Sequence, residues 1–272
     1  MISAVAFKSI RPGLEPMTEI VFIGTGGGRI NLLKQFRGTG GFRINSESAN
    51  IHVDPGPGAL TNSVRLKQDP LKLDVLIVTH SHIDHFNDAG VIVEAITRYA
   101  LKKRGILIAS KDALEGNKLG DRAISRYHQG KIEKIYKIKY GERKKFRTKK
   151  GQFEIEIIKT KHDAPDAFGF RLFIDGKVIG YTGDTEYSEE LGGKFRGCDY
   201  LIANCLKPAE DKFRGHMTSS DVAMLLKKAK PKVAVITHIG MNVMRAGPKN
   251  EAKMIAEKSR VKTIAAYDGM KL

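Results

Sequence analysis

Short, densely apolar runs separated by longer polar stretches organise this chain, and the run lengths give the first expectations. Glu19-Ile20-Val21-Phe22-Ile23 is a β-rich run that breaks at Gly24-Thr25-Gly26-Gly27-Gly28. Strands are predicted at 41–45, 50–53 and 74–78. The last holds Val75-Leu76-Ile77-Val78, a continuous apolar run of the kind a strand shows when both its faces are buried. Residues 89–103 carry apolar side chains at helical spacing and predict an amphipathic helix, followed by a strand at 106–109. Residues 111–130 read as irregular or helical and polar. From 131 to 180 the pattern alternates in the β manner, with turn signals at Gly141, Lys149-Lys150-Gly151 and Asp175-Gly176. Further strands are predicted at 178–182, 199–203 and 233–237, and helices at 218–229 and 251–259; Thr218 or Ser219 caps the first of these helices and Pro231 closes it. Strands mixed with helices, without a repeat or a low-complexity linker, predict one α/β (α+β) domain of two sheets covered by helices. Residues 1–16 read poorly as core, so the domain is expected to span 17–272 behind an N-terminal extension.

Composition narrows the class. The 272 residues are 41% hydrophobic and 28% charged, ordinary for a globular protein able to bury a sizeable core. No apolar stretch approaches the ~18–20 residues that span a bilayer, and the N-terminus lacks the apolar core and cleavage site of a signal peptide. Two cysteines, Cys198 and Cys205, cannot supply a zinc ribbon or a disulfide framework, and the cytoplasm is the expected compartment. Lys and Arg outnumber Asp and Glu by 47 to 30, a formal charge of +17. Such an excess draws anions, with a polyphosphate or a nucleic acid as the obvious partner; simple solubility is the bland alternative.

Chemistry concentrates directly after the run Val75-Leu76-Ile77-Val78. His80-Ser81-His82-Ile83-Asp84-His85 puts four ligand-type residues into six positions. Imidazole and carboxylate suit zinc, alternate positions leaving a strand can point two side chains the same way, and the remaining pair can turn toward a second ion. A lone histidine is usually a packed or exposed residue, but this spacing is rarely incidental. His52 and His128 have no such company and are read as structural or surface residues.

The cluster resembles the defining motif of the metallo-β-lactamase superfamily. The resemblance covers roughly residues 17–272, because further motifs follow in order, each just behind a predicted strand. His162 follows 153–158, Asp184 stands in Tyr181-Thr182-Gly183-Asp184-Thr185, His238 follows 233–237, and Asp54 ends the strand Ile51-His52-Val53. Alone, Asp184 reads equally well as a turn residue and His238 as a satisfied histidine, while Asp163 and Asp166 compete with His162. Together and in this order the three favour ligands. The resemblance implies an αββα sandwich of two mixed sheets flanked by helices, with the metals at one edge. It implies that His80, His82 and His162 hold one ion and that Asp84, His85 and His238 hold the other, Asp184 bridging. Asp54 would support the ligands from behind. The nucleophile implied is a hydroxide shared by the ions, with Asp84 a catalytic candidate as well as a ligand. Zinc is the expected metal, and manganese or iron would accept the same donors.

Fold alone does not settle the reaction. His162 to Leu172 resembles the His…Gly-Tyr-Arg stretch of ribonuclease Z and related phosphodiesterases, and Gly215-His216-Met217-Thr218-Ser219 resembles the loop by which that group places a histidine near the scissile phosphate. His216 would then protonate the leaving alkoxide, as an imidazolium with a pKa near ~6.5 can at neutral pH. The alternative is that it merely precedes a capped helix. The glycine loop with Gly26 and Gly27, and Thr218, are candidates for a substrate loop, although such glycines more often make only a tight turn. Lys131, Lys134, Lys137, Lys139, Arg143, Lys144, Lys145, Arg147, Lys149 and Lys150, interrupted by Tyr136, Tyr140 and Phe146, form a basic strip that reads equally as a nucleic-acid contact or a solvated hairpin. Two features depart from ribonuclease Z: no glycine- and proline-rich arm is present, and Asn204-Cys205-Leu206-Lys207-Pro208 stands where an acidic phrase is expected. A dinuclear phosphodiesterase acting on RNA or a smaller phosphodiester is the leading expectation, with a homodimer left open. A hydrolase of carboxylic esters, lactones or thioesters would share the metals but need an apolar pocket. An RNA-binding module with structural metals is the third reading; seven ligands shared by two ions leave open positions, unlike closed structural zinc sites, which favours catalysis.

Overall fold

A computed structural model describes residues 18–272; the expected extension 1–16 lies outside them. Six strands form the first sheet in chain order: β1 (Glu19–Phe22), β2 (Phe42–Asn45), β3 (Asn50–Val53), β4 (Val75–Val78), β5 (Ile106–Ala109) and β6 (Lys134–Lys137). β1, β2 and β3 pair antiparallel, and β3 to β6 run parallel. The second sheet also keeps chain order, from β7 (Arg143–Arg147) through β8 (Gln152–Lys159), β9 (Phe168–Ile174), β10 (Lys177–Tyr181), β11 (Tyr200–Asn204) and β12 (Val233–Thr237) to β13 (Thr263–Ala265). Its first four strands are antiparallel and β10 to β13 are parallel. The helices are α1 (Gly28–Lys34), α2 (Ala59–Arg65), α3 (Ile83–Phe86), α4 (Ala89–Ile96), α5 (Lys111–Glu115), α6 (Arg126–Lys131), α7 (Glu189–Lys194), α8 (Ser219–Ala229), α9 (Met241–Ala246) and α10 (Pro248–Ser259). None is long and apolar enough to cross a membrane among the described residues.

Side-chain alternation explains the layers. Along β4, Val75 and Ile77 enter the core between the sheets, whereas Leu76 and Val78 pack outward with Ile92, Val93 and Ile96 of α4. β5 divides in the same way, which is why both strands read as unbroken apolar runs. Across the sandwich, Phe153, Ile155 and Ile157 of β8 and Phe168, Phe170 and Leu172 of β9 meet Phe22, Phe42 and Ile51. The outer face of the second sheet, with Leu201, Ala203, Ala234 and Ile236, is covered by Leu191, Val222, Leu225, Leu226 and Ile255 of α7, α8 and α10. The result is an αββα sandwich, as expected. Each such aliphatic side chain contributes roughly 1.5–3 kcal/mol through burial.

The local signals hold unevenly. Asp175 and Gly176, at φ 46° and 73°, make the tight turn joining β9 to β10. Thr218 caps α8 through a reciprocal pair with Asp221, and Lys230 ends it in the left-handed region before Pro231. The helix expected over 89–103 stops at Ile96, because Arg98, Tyr99 and Ala100 all adopt φ between 56° and 63°. Beyond Ile96 the apolar positions Tyr99 and Leu101 are 68% and 82% exposed, so no buried face sustains further helical turns. The one-turn helix α3, the helices α1, α2, α7 and α9, and strand β13 carry too short a pattern to be read from the sequence.

Candidate metal centre

The parallel strands β3, β4, β10, β11 and β12, together with β8, end at one edge of the sandwich, and the loops leaving them converge there. After β4 the chain bends at His80 and Ser81 and is extended at His82, which opens the single turn of α3 carrying Asp84 and His85. The loops after β3, β8, β10 and β12 supply Asp54, His162, Asp184 and His238. Asp54 and His238 both hold positive φ, 51° and 54°, a conformation non-glycine residues keep only where surrounding contacts impose it.

Asp54 is the post behind the site. Its carboxylate accepts from the Thr79 backbone N–H at 2.7 Å, the Thr79 hydroxyl at 2.8 Å, the Tyr181 hydroxyl at 3.0 Å and His85 Nδ1 at 3.0 Å. His85 therefore carries its proton on Nδ1 and turns Nε2 inward. His80 is fixed in the same sense, since Nδ1 lies 3.1 Å from a Thr79 Oγ1 whose own hydrogen is engaged by Asp54. His162 Nδ1 donates to the Gly215 carbonyl at 2.9 Å, and Gly215 N–H in turn meets Glu186 at 3.0 Å. Second partners of this kind fix the tautomer that leaves one ring nitrogen lone pair facing the centre.

The inward atoms crowd together. His82 Nδ1 stands 3.1 Å from His162 Nε2, and His85 Nε2 stands 3.2 Å from His238 Nε2. Asp184 Oδ2 lies 3.2 to 3.9 Å from a ring nitrogen of each of His80, His85, His162, His216 and His238. Asp84 Oδ2 reaches His238 Nε2 at 3.4 Å. Four ligand groups can be drawn from these atoms: His80–His82–His162, His80–His85–Asp184, Asp84–His85–His238 and His162–Asp184–His216. His80 Nε2 is fully buried and has no hydrogen-bond partner. An orphaned inward lone pair, and imidazole nitrogens facing one another at hydrogen-bond distance, are what a divalent cation would satisfy.

Electrostatics point the same way. Burial, reinforced by the neighbouring imidazoles, holds His80 well below the usual histidine range, and burial lowers His82 too. Burial opposes ionisation of Asp184 and Asp84, yet the surrounding histidines hold both carboxyls below the ordinary range and keep them anionic. His85 goes up despite its burial, because Asp184, Asp84 and Asp54 surround it. Burial pulls His216 down to about 4, so its imidazole is neutral at pH 7 and is not the ready proton donor its free value suggests.

The structure thus gathers Asp54, His80, His82, Asp84, His85, His162, Asp184, His216 and His238 in one place, while His52 and His128 lie elsewhere, on Gly40 and on Ser125 and Glu94. Gly27 N–H bonds to the Ile239 carbonyl at 3.1 Å, and a Cβ on Gly27 would fall 2.2 Å from His238 Nδ1. The glycine loop therefore braces the His238 loop. Gly26 packs against Arg37 and Asn31, and only Gly27 and Gly28 reach the open cavity. Thr218 does not join them; its side chain is buried in the α8 cap. Within the basic strip, Lys134, Lys137, Arg143, Lys144 and Lys150 are paired with Glu133, Glu115, Glu154, Glu142 and Asp74.

Sequence reasoning missed the supporting residues. Asn204 donates to Asp184 Oδ1, and Tyr181 donates to Asp54; only proximity to the Asp184 phrase hints at Tyr181, and Asn204 was visible just as a departure from an acidic pattern. Asp163 Oδ1, beside His162 Nε2 at 3.0 Å, remains 56% exposed at the rim.

Comparison with known proteins fits this geometry. Residues 49–239 match the family described as Beta-lactamase superfamily domain. The uncharacterized protein MJ1374 of Methanocaldococcus jannaschii is 36% identical over 256 residues, covering 93% of this chain and 94% of its own. A ribonuclease Z of Sulfolobus acidocaldarius is 27% identical over 284 residues, covering 89% of this chain and 95% of that one. In structure, the metallo-β-lactamase fold protein YhfI from Bacillus subtilis superposes with a TM-score of 0.72 at 20% identity, over 94% of this chain and 99% of its own. With the sandwich, the strand-end histidines and these relatives in agreement, the chain belongs to the metallo-β-lactamase superfamily of metallo-hydrolases, with ribonuclease Z among its relatives.

Proposed function

We propose that the chain is a dinuclear metal-dependent phosphodiesterase, of the ribonuclease type or acting on a smaller phosphodiester. One observation carries the dinuclear reading: Asp184 Oδ2 stands between the His80–His82–His162 group and the Asp84–His85–His238 group, within 3.9 Å of a ring nitrogen in each. A carboxylate so placed suits a bridge. Zinc fits the imidazole-rich donors, with manganese or iron as alternatives. When bound, two such ions lower the pKa of water and neutralise charge on a phosphoryl group.

The protein groups have separate tasks in this reading. His80, His85 and His162 offer one lone pair each, their other ring nitrogens held by Thr79, Asp54 and Gly215, and His82 and His238 add theirs without such a partner. Asp84, anionic and facing the cavity, orients the attacking water and accepts its proton. His216, neutral, donates an N–H hydrogen bond toward the leaving oxygen, a role a neutral imidazole can fill, and the proton that Asp84 takes from the water ends on the departing alcohol. The phosphodiester preference leans on the relationship to ribonuclease Z and on the +17 charge. The free, buried Cys198 and Cys205 suit a reducing compartment, the cytoplasm.

A second reading has its own observation. The cavity over the centre has Ile30, Leu33, Leu206 and Met241 in its walls, which a hydrolase of carboxylic esters or lactones would use. Metal analysis should find about two equivalents per chain, and chelation should lower the melting temperature and abolish turnover. Bis(p-nitrophenyl) phosphate should be turned over far faster than p-nitrophenyl acetate; the reverse order would replace the phosphodiesterase reading with the ester reading. RNA binding that persists unchanged in His80→Ala without any cleavage by the parent chain would instead favour structural metals.

A further inference from the structure

We infer that the substrate is a singly charged phosphodiester carrying an apolar or aromatic substituent, which lodges against a hydrophobic wall formed by α1, Phe213 and Met241. The inference rests on the phosphodiesterase reading and names the substrate class.

The cavity above the candidate centre holds about 570 Å³, within the ~300–1,000 Å³ of pockets that enclose small ligands. His82, Asp84, Asp163, Asp184, His216 and Asn242 form its polar part. Its walls are a different material: Ile30, Leu33, Ile83, Leu206, Phe213 and Met241. Ile30, Leu33, Ile83 and Phe213 are 56%, 79%, 49% and 53% exposed. Large apolar side chains left in water around one concavity, with ligand-type atoms at its base, mark a surface that an apolar group covers when bound.

Counter-charge decides against a threaded polyanion. Lys207 and Arg29 are the cations on this cavity. Lys207 Nζ is engaged by Asp211 at 2.9 Å and lies over the Phe213 ring at 5.3 Å. Arg29 has no partner among the described residues and remains free to meet one negative charge. A run of phosphates would require several free cations here. One phosphodiester anion on the polar part, with its uncharged arm on the apolar wall, matches what the cavity offers. A planar arm would also stack on Phe213, which is exposed and tilted against His216 with ring centroids 5.8 Å apart.

The test uses the metal-loaded full chain and two monoanions that differ only in the arm, the monomethyl esters of methylphosphonic and phenylphosphonic acid (methylphosphonate and phenylphosphonate below), titrated calorimetrically. Phenylphosphonate should bind about tenfold to fiftyfold more tightly. A Leu33→Ser/Phe213→Ser variant changes two exposed side chains and should fold normally; it should erase most of that gap while methylphosphonate binds as before. Equal affinity for the two anions in the parent chain, absence of binding by both, or a gap that survives in the variant would each overturn the inference. Sedimentation of the same variant separates the remaining explanation. A dimer that becomes a monomer while the gap persists would show that this wall faces a second copy instead of substrate. Failure of the phosphodiesterase reading shows elsewhere, as missing turnover of bis(p-nitrophenyl) phosphate.

Discussion

The side-chain amide of Asn204 donates a hydrogen bond to Oδ1 of Asp184, the carboxylate whose other oxygen faces ring nitrogens of five histidines. The same amide reaches the Tyr181 hydroxyl at 3.3 Å, and Tyr181 donates to Asp54, so the two acids of the site are linked through neutral groups. Asn204 thereby leaves Oδ2 as the oxygen available to a cation. Removing the amide with Asn204→Leu should weaken metal affinity about 10- to 100-fold without unfolding the chain, as losses behind a ligand usually do. Chelator competition measures this, and unchanged affinity would show that Asp184 needs no such anchor.

His216 lies at the cavity floor, with Nδ1 3.7 Å from Asp184 Oδ2. His216→Ala should reduce kcat by about 10²- to 10³-fold, the loss of one hydrogen-bond donor, while metal content stays at the parent level. Loss of an ion from the purified variant would instead make His216 a ligand, in the His162–Asp184–His216 group.

Gly27 has no room for a side chain. A methyl there would sit 2.2 Å from His238 Nδ1, and the Gly27 N–H bond to Ile239 prevents the loop from backing away. Gly27→Ala should displace His238, lose one metal equivalent and lower turnover on the order of 100-fold. Gly193→Ala, where nothing lies within 4 Å, is the matched control and should change neither quantity.

His52 gives the pH dependence of folding. Burial, with the nearby Arg43 charge, lowers its pKa to about 3, against about 6.5 in an unfolded chain. The folded state thus binds fewer protons, so this contribution is complete above pH 6.5 and is lost as pH falls from there toward 3. The loss approaches ~1.4 kcal/mol per pH unit at most. His52→Gln keeps a donor for the Gly40 carbonyl, which His52 Nε2 meets at 2.8 Å, and removes the titration. Urea unfolding of the two chains between pH 7.5 and 4 should show the parent losing stability faster; parallel curves would mean His52 does not titrate across folding.

Legibility followed the range of the interactions. β4, β5 and β12 were readable because burial on both faces writes an unbroken apolar run into four or five consecutive residues. The turn at Asp175-Gly176 and the cap at Thr218 were readable because neighbours in sequence make them. The helix end at Ile96 was not, since it depends on Tyr99 and Leu101 finding nothing to pack against.

For the site, the sequence by itself determined the candidate donors: four ligand types in six positions after β4, and the later acids and histidines in their order along the chain. Chain order cannot state which ring nitrogen faces which. That was decided by partners such as Thr79, Asp54 and Gly215, which fix tautomers across sequence separations of up to 53 residues. Only the tertiary structure lowered His216 to about 4, because burial is a property of everything packed around the ring. It alone also assembled the apolar wall from Ile30, Ile83, Phe213 and Met241, side chains that lie far apart in sequence and meet where the loops of two sheets close over one edge.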